Sequence, residues 1–154
     1  MKSYGAFKGY TNGTTSVKTL WIEDFWGNYW EGMTGLILAG SAGIKTKMTP
    51  PYNYDGTGYT ATGIVPTGTS GGYIDTEAVN DVSGLVPKTA SGSGSTYLCD
   101  GLWSATNQVD YALVGGDWDS ALLCGPRCVD LHRLASTAYT NLGSGLSYLE
   151  PEAA

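Results

Sequence analysis

The stretch GGDWDSALLCGPRCVDLHRLASTAYTN, residues 115–141, gathers acid, base, thiol, aromatic and aliphatic side chains with no clean period. Asp117, Asp119 and Asp130 near His132 and Arg133 would suit acid–base work or a polar binding face. A single histidine with no positioned nucleophile is weak support for catalysis. Ser120 and Ser136 lack the Gly-x-Ser-x-Gly context that exposes a catalytic serine.

The pair in CGPRC, Cys124 and Cys128, poses a geometric question. In a straight strand the two Cα atoms would lie ~13 Å apart, too far for a disulfide. Gly125-Pro126 favours a tight reversal instead, which would set the cysteines opposite each other in a hairpin and within bonding reach. Two reduced thiols near a turn is the other reading. A redox role is a third, with Arg127 lowering a thiol pKa. Cys99 is expected to be a buried free thiol. Zinc fits poorly, because a structural site wants four ligands and His132 is the only histidine.

Other short patterns carry less. The acids of GGYIDTEAVND lack the ligand spacing of a calcium-binding loop. The glycine-rich GSAG and GTSGG have no following lysine, so phosphate binding is not expected.

The elements that must position residues 115–141 follow from periodicity. In TTSVKTLWIEDFWG, Val17, Leu20, Trp21 and Phe25 recur at helical spacing; Thr15 or Ser16 would cap the helix and Gly27 end it. NYWEGMTGLIL alternates, predicting a strand with Trp30, Leu36 and Leu38 on one side and Tyr29, Glu31, Met33 and Ile37 on the other. Residues 41–94 are rich in Gly, Thr, Pro and Tyr and offer only short strands, such as Tyr59–Val65. Strands are expected at Tyr111–Trp118, at Leu122–Cys124 with Cys128–Leu131, and at Leu142–Leu149. Alternation would turn Trp118 inward and Asp117 and Asp119 outward. The order implies an α+β fold: short, mostly antiparallel strands, one or two helices and long irregular loops.

The 154 residues suit one domain, expected over 1–149, with 150–154 a disordered tail that reads in part as vector sequence. Charged residues are 14 %, against roughly 25 % in an average soluble domain. Gly, Ser, Thr, Asn and Tyr must therefore solvate the surface, a palette shared with antibody-like binding loops. The net charge of −6 and the lack of any Lys/Arg cluster argue against nucleic acid. No apolar run approaches the ~20 residues that span a bilayer. The opening MKSYGAFKGYTNG lacks the apolar core of a signal peptide.

Three blocks together resemble a known family. DFWGNYWEGM (24–33) is similar to the GN-x-WEW signature of the C-type lectin fold in formylglycine-generating enzymes and their relatives. ALVGGDW (112–118) resembles that group's GGSW strand, and NLGSGLSYL (141–149) its closing IGFR strand. Gly32 stands in place of the signature's second tryptophan, and the closing arginine is absent. Within the group, the likeness is greatest to variable proteins of phages and bacteria that are diversified by retroelements. Adenine-directed mutation of asparagine codons in those proteins yields Asp, Ser, Thr, His, Tyr, Arg and Leu. Asp117, Asp119, Ser120, Leu123, Asp130, His132, Arg133, Thr137 and Tyr139 are all reachable that way.

The resemblance implies a ligand- or receptor-recognition domain, with those nine residues and Trp103 forming its contact face. It implies no catalytic residue, no cofactor and no calcium requirement. The expected partner is a protein or glycan on a host or target cell surface, with no membrane insertion and homo-oligomerisation left open. The expected location is a virion tail or fibre, or a bacterial surface. The alternatives are a structural or decoration module of a virion, and an oxidase-like enzyme using Cys124 and Cys128.

Overall fold

The computed structural model describes residues 7–9, 11, 16–20, 22–68, 71–96, 98 and 100–143. The expectations for Thr15, Trp21, Cys99, the 144–149 part of the last strand and the 150–154 tail lie outside them. The architecture is mixed α+β, dominated by short strands, with minimal helical content and irregular loops. Among the described residues the helical content is two single 3-10 turns, Gly40–Ala42 and Ala121–Leu123.

The central sheet is built around β4 (Trp30–Ala39). It also contains β5 (Ile44–Thr46), β6 (Thr60–Ala61), β7 (Gly72–Tyr73), β10 (Gly101–Ser104), β11 (Val109–Val114), β12 (Val129–Arg133) and β13 (Leu142–Gly143). The order is β6-β5-β4-β11-β12-β10-β7, with β13 beside the start of β4. Pairing is antiparallel except for β10–β12 and β13–β4. Two smaller groups flank it: β1 (Phe7–Lys8), β2 (Lys18–Thr19) and β3 (Ile22–Glu23), and the ribbon of β8 (Thr76–Asn80) with β9 (Gly84–Thr89).

One face of the sheet packs the larger core. Leu38, Ile44, Ile64, Ile74, Leu102, Ala112 and Leu131 are buried there with Val86 of β9. Burial of each large aliphatic side chain stabilises the fold by ~1.5–3 kcal/mol. Trp30, Leu113 and Cys128 form a separate cluster, joined by Trp103, Tyr111 and Leu142. It lies on the opposite face, where the candidate site is.

Three sequence expectations are corrected. First, the described residues of the helix expected up to Gly27 are not helical. Described residues there make the β2–β3 hairpin, with Leu20 at φ +46 and Asp24 at φ +59, values no right-handed helix contains. Val17 is buried, while Leu20 and Phe25 are exposed, so the helical spacing was coincidental. Second, β4 keeps no single alternation. Ile37 pairs with Tyr111 but Met33 pairs with Ala112, which leaves residues 34–36 unopposed on β11. This bulge puts Trp30 and Leu38 on opposite faces. Third, Leu122–Cys124 is not a strand: the 3-10 turn Ala121–Leu123 leads into Cys124.

Candidate functional site

Three chain segments meet at one end of β4. Gly27 N–H donates to Gly115 O at 3.1 Å, Trp118 N–H to Asn28 O at 3.3 Å, and Trp30 N–H to Asn141 O at 2.9 Å. Gly115 and Gly116 have φ of +90° and +75°. That reverses the chain after β11 and ends the alternation expected through Trp118. The sidedness is therefore the opposite of the one expected: Asp117 is 5 % exposed, and Trp118 is exposed, with its ring edge-on to Tyr29 at 5.5 Å.

Asp117 organises the turn that follows. Its Oδ1 accepts from Ser120 Oγ at 2.6 Å and from Asp119 N–H at 3.2 Å. Its Oδ2 accepts from the Asn141 side-chain amide. A buried carboxylate so supplied with donors is a structural anchor. The Asp119 carboxylate is exposed and has no partner among the described residues.

Asp130 plays the same role on β12 and is 2 % exposed. Its Oδ1 accepts from His132 N–H at 2.9 Å and bonds His132 Nδ1; its Oδ2 accepts from Arg133 Nε at 3.2 Å. The β11–β12 register explains how consecutive residues reach one side. Leu113 opposes Asp130 while Tyr111 opposes Arg133, so β12 carries an extra residue there. The Arg133 guanidinium also lies 5.0 Å from the centre of the Tyr139 ring. Nearby Asp110 is wholly buried and bonds the Gln108 amide through Oδ1, while its Oδ2 has no partner among the described residues. Burial pushes the Asp110 carboxyl above its ordinary range.

Trp103 pairs in register with Asp130 and so shares its face. A Cβ added to Gly101 would meet its ring at 2.5 Å, and one added to Gly71 would lie closer still to the indole nitrogen. The two ends of the indole therefore rest on bare glycine backbone. Trp30 stands edge-on to it at 5.6 Å and 88°.

These groups enclose a cleft of about 310 Å3. Eight of the ten residues singled out in the sequence line it: Trp103, Asp117, Asp119, Ser120, Leu123, Asp130, His132 and Arg133. Tyr139 lines an adjoining hollow of about 240 Å3, which shares Trp30, Arg133 and Asn141 with the cleft. Thr137 stands apart, half-buried in the turn where its N–H donates to Leu134 O. Trp30 and Asn141 also line the cleft; alternation marks Trp30 only as a strand residue, and its place in GNYW is the one sequence signal for its role.

The cysteines need a further correction. Cys124 and Cys128 are free, buried thiols. Cys124 packs with Val17 and Trp26, and Cys128 with Trp30 and Leu113, so the reversal at 125–127 sends them into different clusters. Burial raises both thiols above their ordinary pKa. Arg127 is directed elsewhere: its guanidinium makes a two-point ion pair with Glu77, at 2.8 and 2.7 Å, and its N–H donates to Asp100.

Compared with known proteins, the chain matches no family model, no curated protein and no solved structure.

Proposed function

We propose that this is a ligand-recognition domain: a C-type-lectin-like scaffold that displays a variable binding face. The observation that carries this reading is the convergence of eight sequence-singled residues on one cleft, with Tyr139 beside it. The three-way junction of the GNYW, GGDW and Asn141 segments supports the scaffold assignment, because those are the blocks that carry the family resemblance. The partner is a protein or glycan on a host or target cell, and the domain works on a virion tail or a bacterial surface. Binding needs no cofactor. The oxidase alternative requires a reactive thiolate, whereas Cys124 and Cys128 are buried in apolar clusters that favour the protonated form.

The face divides into anchors and contacts. Asp117 and Asp130 hold the backbone and their neighbours; Asp119 and Tyr139 are exposed, and Leu123 is half-buried in the cleft wall. A library varied at the exposed Asp119 and Tyr139, together with His132 at the cleft wall, tests the reading. Members are expected to select different surface ligands and to melt within a few degrees of the parent, since changes at exposed positions cost within ~0.5 kcal/mol each. A library that largely unfolds, or that never alters ligand choice, would overturn it.

A second reading, a structural module of a virion, draws on the exposed Val79, Val82 and Leu85 of the β8–β9 ribbon. Light scattering at several concentrations separates the two: a fixed oligomer whose interface covers this ribbon, with no cell binding, would favour the module.

A further inference from the structure

Resting on the recognition reading above, we infer that the cleft takes an organic cation, the ammonium or guanidinium of a lysine or arginine side chain on a protein ligand. The aromatic surface comes first. Trp103 is half-exposed and lines the cleft, and its two ends lie against the bare backbone of Gly71 and Gly101. Trp30 packs against it with the two rings near perpendicular, so the cleft has a two-indole aromatic wall. A flat indole face with negative quadrupole attracts a cation within ~6 Å of its centre, most strongly where water is partly excluded.

The charges around the platform give the sign. Three carboxylates, Asp117, Asp119 and Asp130, line the cleft against the guanidinium of Arg133 and the imidazole of His132, both of which bond Asp130. Arg133 is already engaged: Asp130 accepts from its Nε and the Tyr139 ring lies beneath it. It is therefore poorly placed to receive a ligand carboxylate. Asp117 and Asp130 have their acceptors filled by protein donors and act through their field, which a low-dielectric cleft focuses. Asp119 is the carboxylate left to contact the ligand directly. A ligand anion would meet this excess of negative charge, and a neutral sugar would use the aromatic face but gain nothing from Asp119.

The test follows the indole N–H resonances of Trp103 and Trp30 in the intact domain as four probes are added. These are N-acetyl-lysine amide, N-acetyl-arginine amide, N-acetyl-norleucine amide and N-acetylglucosamine. The two cations are expected to shift the Trp103 signal saturably, with the neutral probes at least fivefold weaker. Asp119→Asn should weaken the cations about threefold to tenfold and leave the neutral probes unchanged, with the spectrum elsewhere unaltered. Trp103→Leu should remove the response to the cations at Trp30. If norleucine amide or the sugar binds as well as the cations, or Asp119→Asn changes nothing, the cation assignment is overturned and the recognition reading stands. If no probe shifts either tryptophan at tens of millimolar, the assignment is likewise overturned, and the library above judges the recognition reading separately.

Discussion

The Asn141 side-chain amide donates to Asp117 Oδ2, linking the turn after β11 to the residue that precedes β13. The same carboxylate holds Ser120 and the Asp119 backbone. A residue from the mixed polar group therefore builds the face rather than decorating it.

Asp117→Ala is expected to destabilise the domain by about 2–3 kcal/mol, because it leaves several donors around a buried site without an acceptor. Asp119→Ala, two residues on, should fall within ~0.5 kcal/mol of the parent. Urea midpoints at constant slope measure both. Equal effects would contradict the division into anchors and contacts.

Glycine at 116 is required twice over. Its φ is +75°, and a Cβ there would sit 2.9 Å from Cys124 Cβ and 3.0 Å from its Cα. Gly116→Ala should cost about 2–4 kcal/mol from backbone strain and overpacking together. Gly63 has nearly the same φ, +76°, with nothing within 4 Å of an added Cβ. Gly63→Ala should cost only the conformational part, about 1–2 kcal/mol. Thermal melts of the pair separate crowding from strain.

Asp110 gives a pH signature opposite to ordinary acid unfolding. Its carboxyl is raised above the ordinary value of 3.8, with burial as the largest cause. The folded state thus holds that proton more tightly than the unfolded chain. This contribution to stability is complete below the unfolded value and declines as pH rises through the raised folded value. Asp110→Asn should remove this decline, so the stability of the variant relative to the parent grows as pH rises above 3.8 and favours the variant at pH 7. Denaturant titrations of both proteins at half-unit steps check this; a difference that does not grow with pH would contradict it.

The two thiols should behave as core. In a Cys99→Ser background, an aromatic disulfide reagent is expected to leave Cys124 and Cys128 unmodified in the folded protein and to label both after denaturation. Reducing agent should leave the melting temperature unchanged. A shift of several degrees on reduction would show a bond between them.

The strands at β4, β11 and β12 were legible from their runs of apolar and β-branched residues, but the bulges between them hid which side of β4 and β11 is buried. Asp119, His132 and Arg133 stood out because dissimilar polar types at neighbouring positions make poor core, whereas their grouping with Trp103 on one face came from the family resemblance. The hairpin at residues 18–23 was not, since Val17, Leu20 and Phe25 mimic helical spacing while only Val17 is buried. The inside and outside of Asp117 and Trp118 were inverted because Gly115 and Gly116 turn the chain where alternation assumes it runs straight. Hydrogen bonds linking positions as distant as 117 and 141 leave no trace in local spacing.

Both feet of the segment from Gly115 to Asn141 stand on the entry to β4, one on Gly27 and Asn28 and the other on Trp30. That short footing and the Asp117–Asn141 link set the distance between the feet. Lengthening a flexible part of the span raises its closure cost only logarithmically, about 0.6 kcal/mol per doubling. Residues 134–140, beyond the last rung of β12, thus form an exchangeable cartridge. A graft there could alter the reach of the domain toward its target while leaving the mount undisturbed.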